Sequence, residues 1–172
     1  MITKAEIEKY FVQEKQESLL FLVLGLIAIA LALAFYFYWK TEFHKGAAIP
    51  LIVIGLIQAI VGYSVYSRSD NQRISNVYAM DMDPGKLKSD ELPRMKKVMQ
   101  NFVIYRWTEI VLLVVGIILI FLYRSNIDKS FWFGLGITLA IQSAIMFSAD
   151  LVAEKRGARY SNGLEEYLNK SK

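Results

Sequence analysis

The sequence predicts an all-α integral membrane protein: a four-helix transmembrane bundle of two antiparallel hairpins, with helices 2 and 3 extended into the cytoplasm. Three observations carry that prediction. Of the 172 residues, 55% are hydrophobic, and they gather into four long blocks rather than spreading evenly along the chain. Each block is close to the ~20 residues that cross a hydrocarbon core of ~30 Å. The connectors within each hairpin are short, which forces antiparallel neighbours.

The first block covers residues 18–39, the second 46–66, the third 102–123 and the fourth 131–152. In a bilayer no water is present to satisfy backbone N–H and C=O groups, so each block is expected to be a helix. Lys40–Lys45 and Arg124–Ser130 join the blocks of each hairpin. A longer polar segment, residues 67–101, joins the two hairpins as a cytoplasmic helical hairpin. The whole chain reads as a single transmembrane domain.

Orientation follows from the basic residues. Fifteen Lys and Arg fall in the N-terminal, middle and C-terminal segments, Lys172 among them, against four in the two short loops. Positive charge favours the cytoplasmic side, so both termini and the middle segment are expected there, in an inner or plasma membrane. Tyr36, Tyr38, Trp39 and Trp132 mark the outer interface, and Tyr105 and Trp107 the inner one. The net charge of +4 speaks to topology and lipid rather than nucleic acid.

The polar segments carry their own patterns. Leu92, Met95, Met99 and Phe102 share one helical stripe, with Ser89 as the expected N-cap and Pro93 in the first turn. Ile74, Val77 and Tyr78 continue the second helix towards a turn at Asp83-Pro84-Gly85. Ile7, Tyr10 and Phe11 near the N-terminus, and Tyr160, Leu164, Tyr167 and Leu168 near the C-terminus, read as short amphipathic helices. Each would lie on the membrane or pack on the cytoplasmic hairpin; Gly157 and Gly163 interrupt the second. A parallel internal repeat is also legible, since Lys45 precedes Gln58 at the same spacing as Lys129 precedes Gln142.

Chemistry is sparse. With no cysteine, the chain excludes disulfides, thiolate metal sites and Cys nucleophiles. His44 is the single histidine and reads as a surface residue. No catalytic motif, metal site or cofactor site is legible, and a lipid-acting enzyme using carboxylates is the weakest reading. Gln58 and Gln142 near the centres of their blocks are costly unless paired; the simplest account is a hydrogen bond across a helix interface, and the other is a polar ligand path. Small-residue stripes (Gly25, Ala28, Ala32; Gly55, Ala59, Gly62; Gly136, Ala140, Ala144, Ser148) are packing faces, within one chain or between chains.

At the inner edge, Arg68, Arg106, Glu109, Asp150 and Glu154 fall at similar depth, as a mutually satisfied network or a vestibule. Arg106 and Glu109 are one turn apart and placed to pair along the helix. Lys86, Lys88, Arg94, Lys96 and Lys97 form a basic juxtamembrane cluster for a partner or lipid headgroups, or simply a solvated face. The first functional reading is a non-enzymatic protein that binds a partner through the cytoplasmic hairpin and the charged edge, including an immunity protein against a membrane-targeting toxin. The alternative is an oligomeric channel or transporter for a small ion, using Gln58, Gln142, Glu109 and Asp150.

Overall fold

The computed structural model describes residues 2–170; Lys172 lies outside the described residues. Among them the chain is helical throughout, with no strand. Four long helices follow one another: α1 (Lys4–Ala34), α2 (Glu42–Met82), α3 (Leu92–Tyr123) and α4 (Ser130–Lys170). Each is long and apolar enough to cross a membrane.

Length sets the architecture. α2 and α4 have 41 residues each, about 62 Å at 1.5 Å per residue. That is about twice a hydrocarbon core, so roughly half of each rod lies beyond the apolar span. All four helices extend at the same end, here called the polar end, where the two termini and the 67–101 segment meet. The amphipathic terminal stretches are thus continuous with α1 and α4, rather than separate helices on a surface. Gly157 and Gly163 do not interrupt α4. They let neighbours approach: Gly157 faces Met95, Met99 and Phe102, and Gly163 faces Ile2.

The local signals explain most boundaries. Thr3 and Glu6 form a reciprocal capping box that starts α1. α1 ends in a π-turn over Phe35–Trp39, closed by Lys40 at φ 55. Thr41 then caps α2, its Oγ1 accepting from the His44 N–H. The first connector is therefore only Lys40 and Thr41, and Glu42–Lys45 is already helix. Pro50 consequently lies two turns inside α2, deeper than the sequence implied, and α2 passes through it unbroken. At the polar end Asp83, not Ser89, provides the cap, its side chain accepting from the Lys86 N–H with Pro84 in the first turn. Ser89 sits in a second π-turn, Leu87–Glu91, one residue before Pro93; a wider turn there suits the N–H that proline lacks.

Packing is pairwise in the apolar half. α1 lies on α2, α3 lies on α4, and α2 and α4 run parallel through the centre. The small-residue stripes serve these contacts within the chain. A Cβ on Gly25 would come 2.6 Å from the Gly55 carbonyl, and one on Gly116 would come 2.7 Å from the Ala140 nitrogen. At the loop end the two central helices meet reciprocally. The Phe131 carbonyl lies over Gly46, and the Phe43 carbonyl lies over Gly134. Both partners are displaced by 88 residues, a relation that a two-fold axis along the helices produces. Gln58 and Gln142 are displaced by 84, so they are not equivalent under it.

The polar half closes into a true four-helix core. Ile7, Tyr10 and Phe11 of α1, Met95 of α3 and Tyr160 of α4 are buried together, with Val77 and Met80 of α2 against them. A second cluster joins Ala79, Leu87, Leu164 and Leu168. The extensions of α2 and α3 do meet at the Asp83 turn, but α4 lies between them; the Tyr167 hydroxyl donates to the Met80 carbonyl from that position.

Candidate functional site

At the centre of the polar end, the rings of Tyr10 and Tyr160 stack with centroids 4.1 Å apart and planes 8° apart. Phe11 stands edge-on to both. The Tyr10 hydroxyl reaches Glu14 Oε1 at 3.2 Å and Met95 Sδ at 3.6 Å. Glu14 is itself buried and accepts from Ser69 Oγ at 3.2 Å, which ties α1 to α2. Burial pushes the Tyr10 phenol above its ordinary 10.0, with the Glu14 charge adding to it; burial, then the Glu91 charge, does the same at Tyr160.

The basic cluster of the 67–101 segment divides. Arg94 forms a two-pronged pair with buried Glu91, Nε to Oε2 at 2.8 Å and Nη2 to Oε1 at 2.7 Å, and lies 5.7 Å over the Phe11 ring. It is part of the core. Lys96 pairs with Glu165 of α4 at 3.4 Å, and Lys86 donates to Ser75 at 3.3 Å. Lys88 and Lys97 are exposed and make no ion pair among the described residues. Further pairs bind α1 to its neighbours: Lys4 to Asp81, Lys15 to Asp70, and Glu17 to Arg156.

The five residues expected at one depth, Arg68, Arg106, Glu109, Asp150 and Glu154, do not form one ring. Arg106 reaches across to Glu154 of α4, with Nη1 3.1 Å from Oε1 and 3.2 Å from Oε2, instead of pairing with Glu109 on its own helix. Glu109 is buried and faces Asp150 of α4, carboxyl towards carboxyl. No cation pairs with either acid among the described residues. Arg68 is exposed and joins no ion pair there, while its neighbour Asp70 is held by Lys15 and Arg73.

In the apolar half, Gln58 is fully buried beside Gly25. Its carboxamide finds no hydrogen-bond partner among the described residues. Gln142 is buried too and likewise forms no hydrogen bond there. Among the described residues, the cross-helix hydrogen bond expected of a central glutamine is formed at neither position. Next to Gln142, the fully buried Ser143 hydroxyl is also unpaired. His44 stacks on Trp39 at 5.6 Å and meets Thr41 Oγ1 at 2.6 Å. Among the described residues no group of three or more His, Asp or Glu converges as metal ligands.

Two surfaces escaped the sequence reading. On α2, Ile74, Tyr78 and Met82 are 62%, 63% and 67% exposed and follow one another every fourth residue, well beyond the apolar span. Ile74 and Tyr78 border a depression of about 350 Å³ with Glu8, Arg73, Val77 and Asp81. Periodicity did mark Ile74 and Tyr78, but only as a continuation of the second helix. The second surface is a groove of about 440 Å³ between the polar ends of α1 and α4; it depends on two segments far apart in sequence. Compared with protein-family models, curated proteins and solved structures, the chain matches none of them.

Proposed function

We propose that this is a non-enzymatic integral protein of an inner or plasma membrane, with both termini cytoplasmic, that acts by binding a protein partner at its polar end. The observation that carries the reading is the exposed stripe of Ile74, Tyr78 and Met82. These residues lie 8–16 positions past the apolar block ending at Tyr66, about 12–24 Å beyond it along a helix. Lipid tails do not reach them there, and three large apolar side chains in a row mark an interaction face. Glu8, Arg73 and Asp81 border the stripe, with Asp81 already held by Lys4, so the matching surface is an apolar helical face with a mixed-charge edge. The basic excess at this end supports the cytoplasmic orientation. Blocking a toxin that attacks the membrane, as an immunity protein does, is one form this activity takes.

Capture of a partner from membranes of the native cell, with Ile74→Ser/Tyr78→Ser as the control, tests the proposal. The reading requires one protein lost from the variant while the variant keeps its fold. A channel or transporter for a small ion is the second reading, favoured by the facing Glu109 and Asp150. Ion flux into liposomes that disappears in a folded Glu109→Gln variant would establish it and displace the first.

A further inference from the structure

We propose that the groove between α1 and α4 binds a phosphate-bearing anion, with Arg156 and Arg159 on one wall and Lys9 on the other. Whether the stripe on α2 recruits a protein does not bear on this site. The groove has a volume of about 440 Å³, enough for a phosphate ester with its polar substituent.

Charge accounting inside the groove points to an anion. Two acids line it, Glu6 and Glu166, and both are engaged. Glu6 accepts from the Thr3 backbone N–H at 2.8 Å within the capping box, and Glu166 accepts from Lys170 at 2.6 Å. Lys9 and Arg159 are exposed at the rim, and neither has an ion-pair partner among the described residues. Arg156 pairs with Glu17 and lies 5.6 Å over the Tyr10 ring, yet its Nε is buried with no hydrogen-bond partner. That Nε is closed off from solvent, so Arg156 contributes charge to the groove wall, and the free planar donors are those of Arg159 at the rim.

Depth points to the source. Arg156 follows the apolar block that ends at Val152 by four residues, about 6 Å along α4, and Gln13 precedes Ser18 by five, about 7.5 Å along α1. The inner end of the groove therefore opens at headgroup level. An anionic phospholipid headgroup is the ligand of this chemistry already present there. A soluble phosphate ester shares the chemistry.

The test uses the full chain in a zwitterionic detergent. Binding is titrated with short-chain phosphatidylglycerol, glycerol 3-phosphate, inorganic phosphate and short-chain phosphatidylcholine. Compared with wild type are Lys9→Gln/Arg159→Gln, Arg159→Gln alone, and Lys88→Gln/Lys97→Gln as a surface-charge control. We expect saturable binding of phosphatidylglycerol but not phosphatidylcholine. It should weaken at least tenfold in the groove double variant, by less in the single variant, and not in the control. Tighter binding of phosphatidylglycerol than of glycerol 3-phosphate identifies a lipid headgroup; equal binding identifies a soluble ester. Equal weakening in groove and control variants, or no saturable binding of any phosphate, overturns the proposal.

Discussion

Arg106 of α3 pairs with Glu154 of α4, 48 residues further along the chain, and leaves Glu109, one turn away on its own helix, to face Asp150. The pairing ties the two helices of the second hairpin at the polar-end edge of their apolar spans. It also separates a satisfied ion pair from an unsatisfied pair of carboxyls within a single helical turn.

The polar-end core is expected to dominate stability. Phe11 is 1% exposed and touches Tyr10, Tyr160 and Arg94. Phe11→Ala should destabilise the protein by about 3–5 kcal/mol, as buried Phe truncations do. Tyr78→Ala, at an exposed position, should change stability by less than about 0.5 kcal/mol. Denaturant unfolding of both variants in one detergent checks the contrast.

Arg94→Met is expected to leave Glu91 buried and unpaired, costing on the order of 3 kcal/mol. Adding Glu91→Leu to it should recover most of the loss, because the cost lies in the orphaned charge. A double-mutant cycle of unfolding midpoints measures the recovery.

The glycines should answer oppositely to alanine. Gly25→Ala places a Cβ against the Gly55 backbone, which cannot give way, so a loss of about 1–3 kcal/mol is expected. Gly157→Ala meets first the Met99 sulfur at 3.3 Å and then the Met95 methyl at 3.7 Å. Both are ends of flexible side chains, so this change should be neutral or gain up to about 1 kcal/mol from helix propensity. Thermal midpoints of the two variants decide.

Alkaline pH should unfold the polar end. The Tyr10 and Tyr160 phenols are raised above their ordinary 10.0 by burial. The unfolded chain therefore loses these protons first. Stability is complete below pH ~10 and falls as pH rises towards the folded values. Lys15, raised by its hydrogen bond to Asp70, adds a loss in the same direction. Tyr160→Phe should shift the alkaline midpoint upwards, followed by near-ultraviolet circular dichroism.

The apolar blocks and the hairpin topology were legible because they depend on composition and length alone; the first connector was read too long because Glu42–Lys45 is polar yet helical. The turn at Asp83 was legible because Asp-Pro-Gly has few other conformations. The cap was misplaced at Ser89 because a π-turn before Pro93 has no simple sequence signature. Arg106 was assigned to Glu109 because spacing reveals neighbours on one helix, whereas its real partner comes from another. Glu14 is buried against Tyr10 and Ser69, and nothing in its local sequence sets it apart from the charged residues around it. The α1–α4 groove was invisible because its walls are more than 140 residues apart, and only the tertiary fold brings them together.

The two-residue link at Lys40 and Thr41, and the brief Arg124–Asn126 link opposite it, make the molecule one-sided. On the loop face the chain offers short turns, aromatic rings and a few charges, the Glu42–Lys45 pair among them. Nearly all of its addressable chemistry stands on the other face. An event at the loop face can reach the polar end only as a tilt or rotation of whole helices about the crossings at Gly46 and Gly134. Conversely, a partner gripping the polar end holds levers about twice as long as the hydrocarbon core is thick.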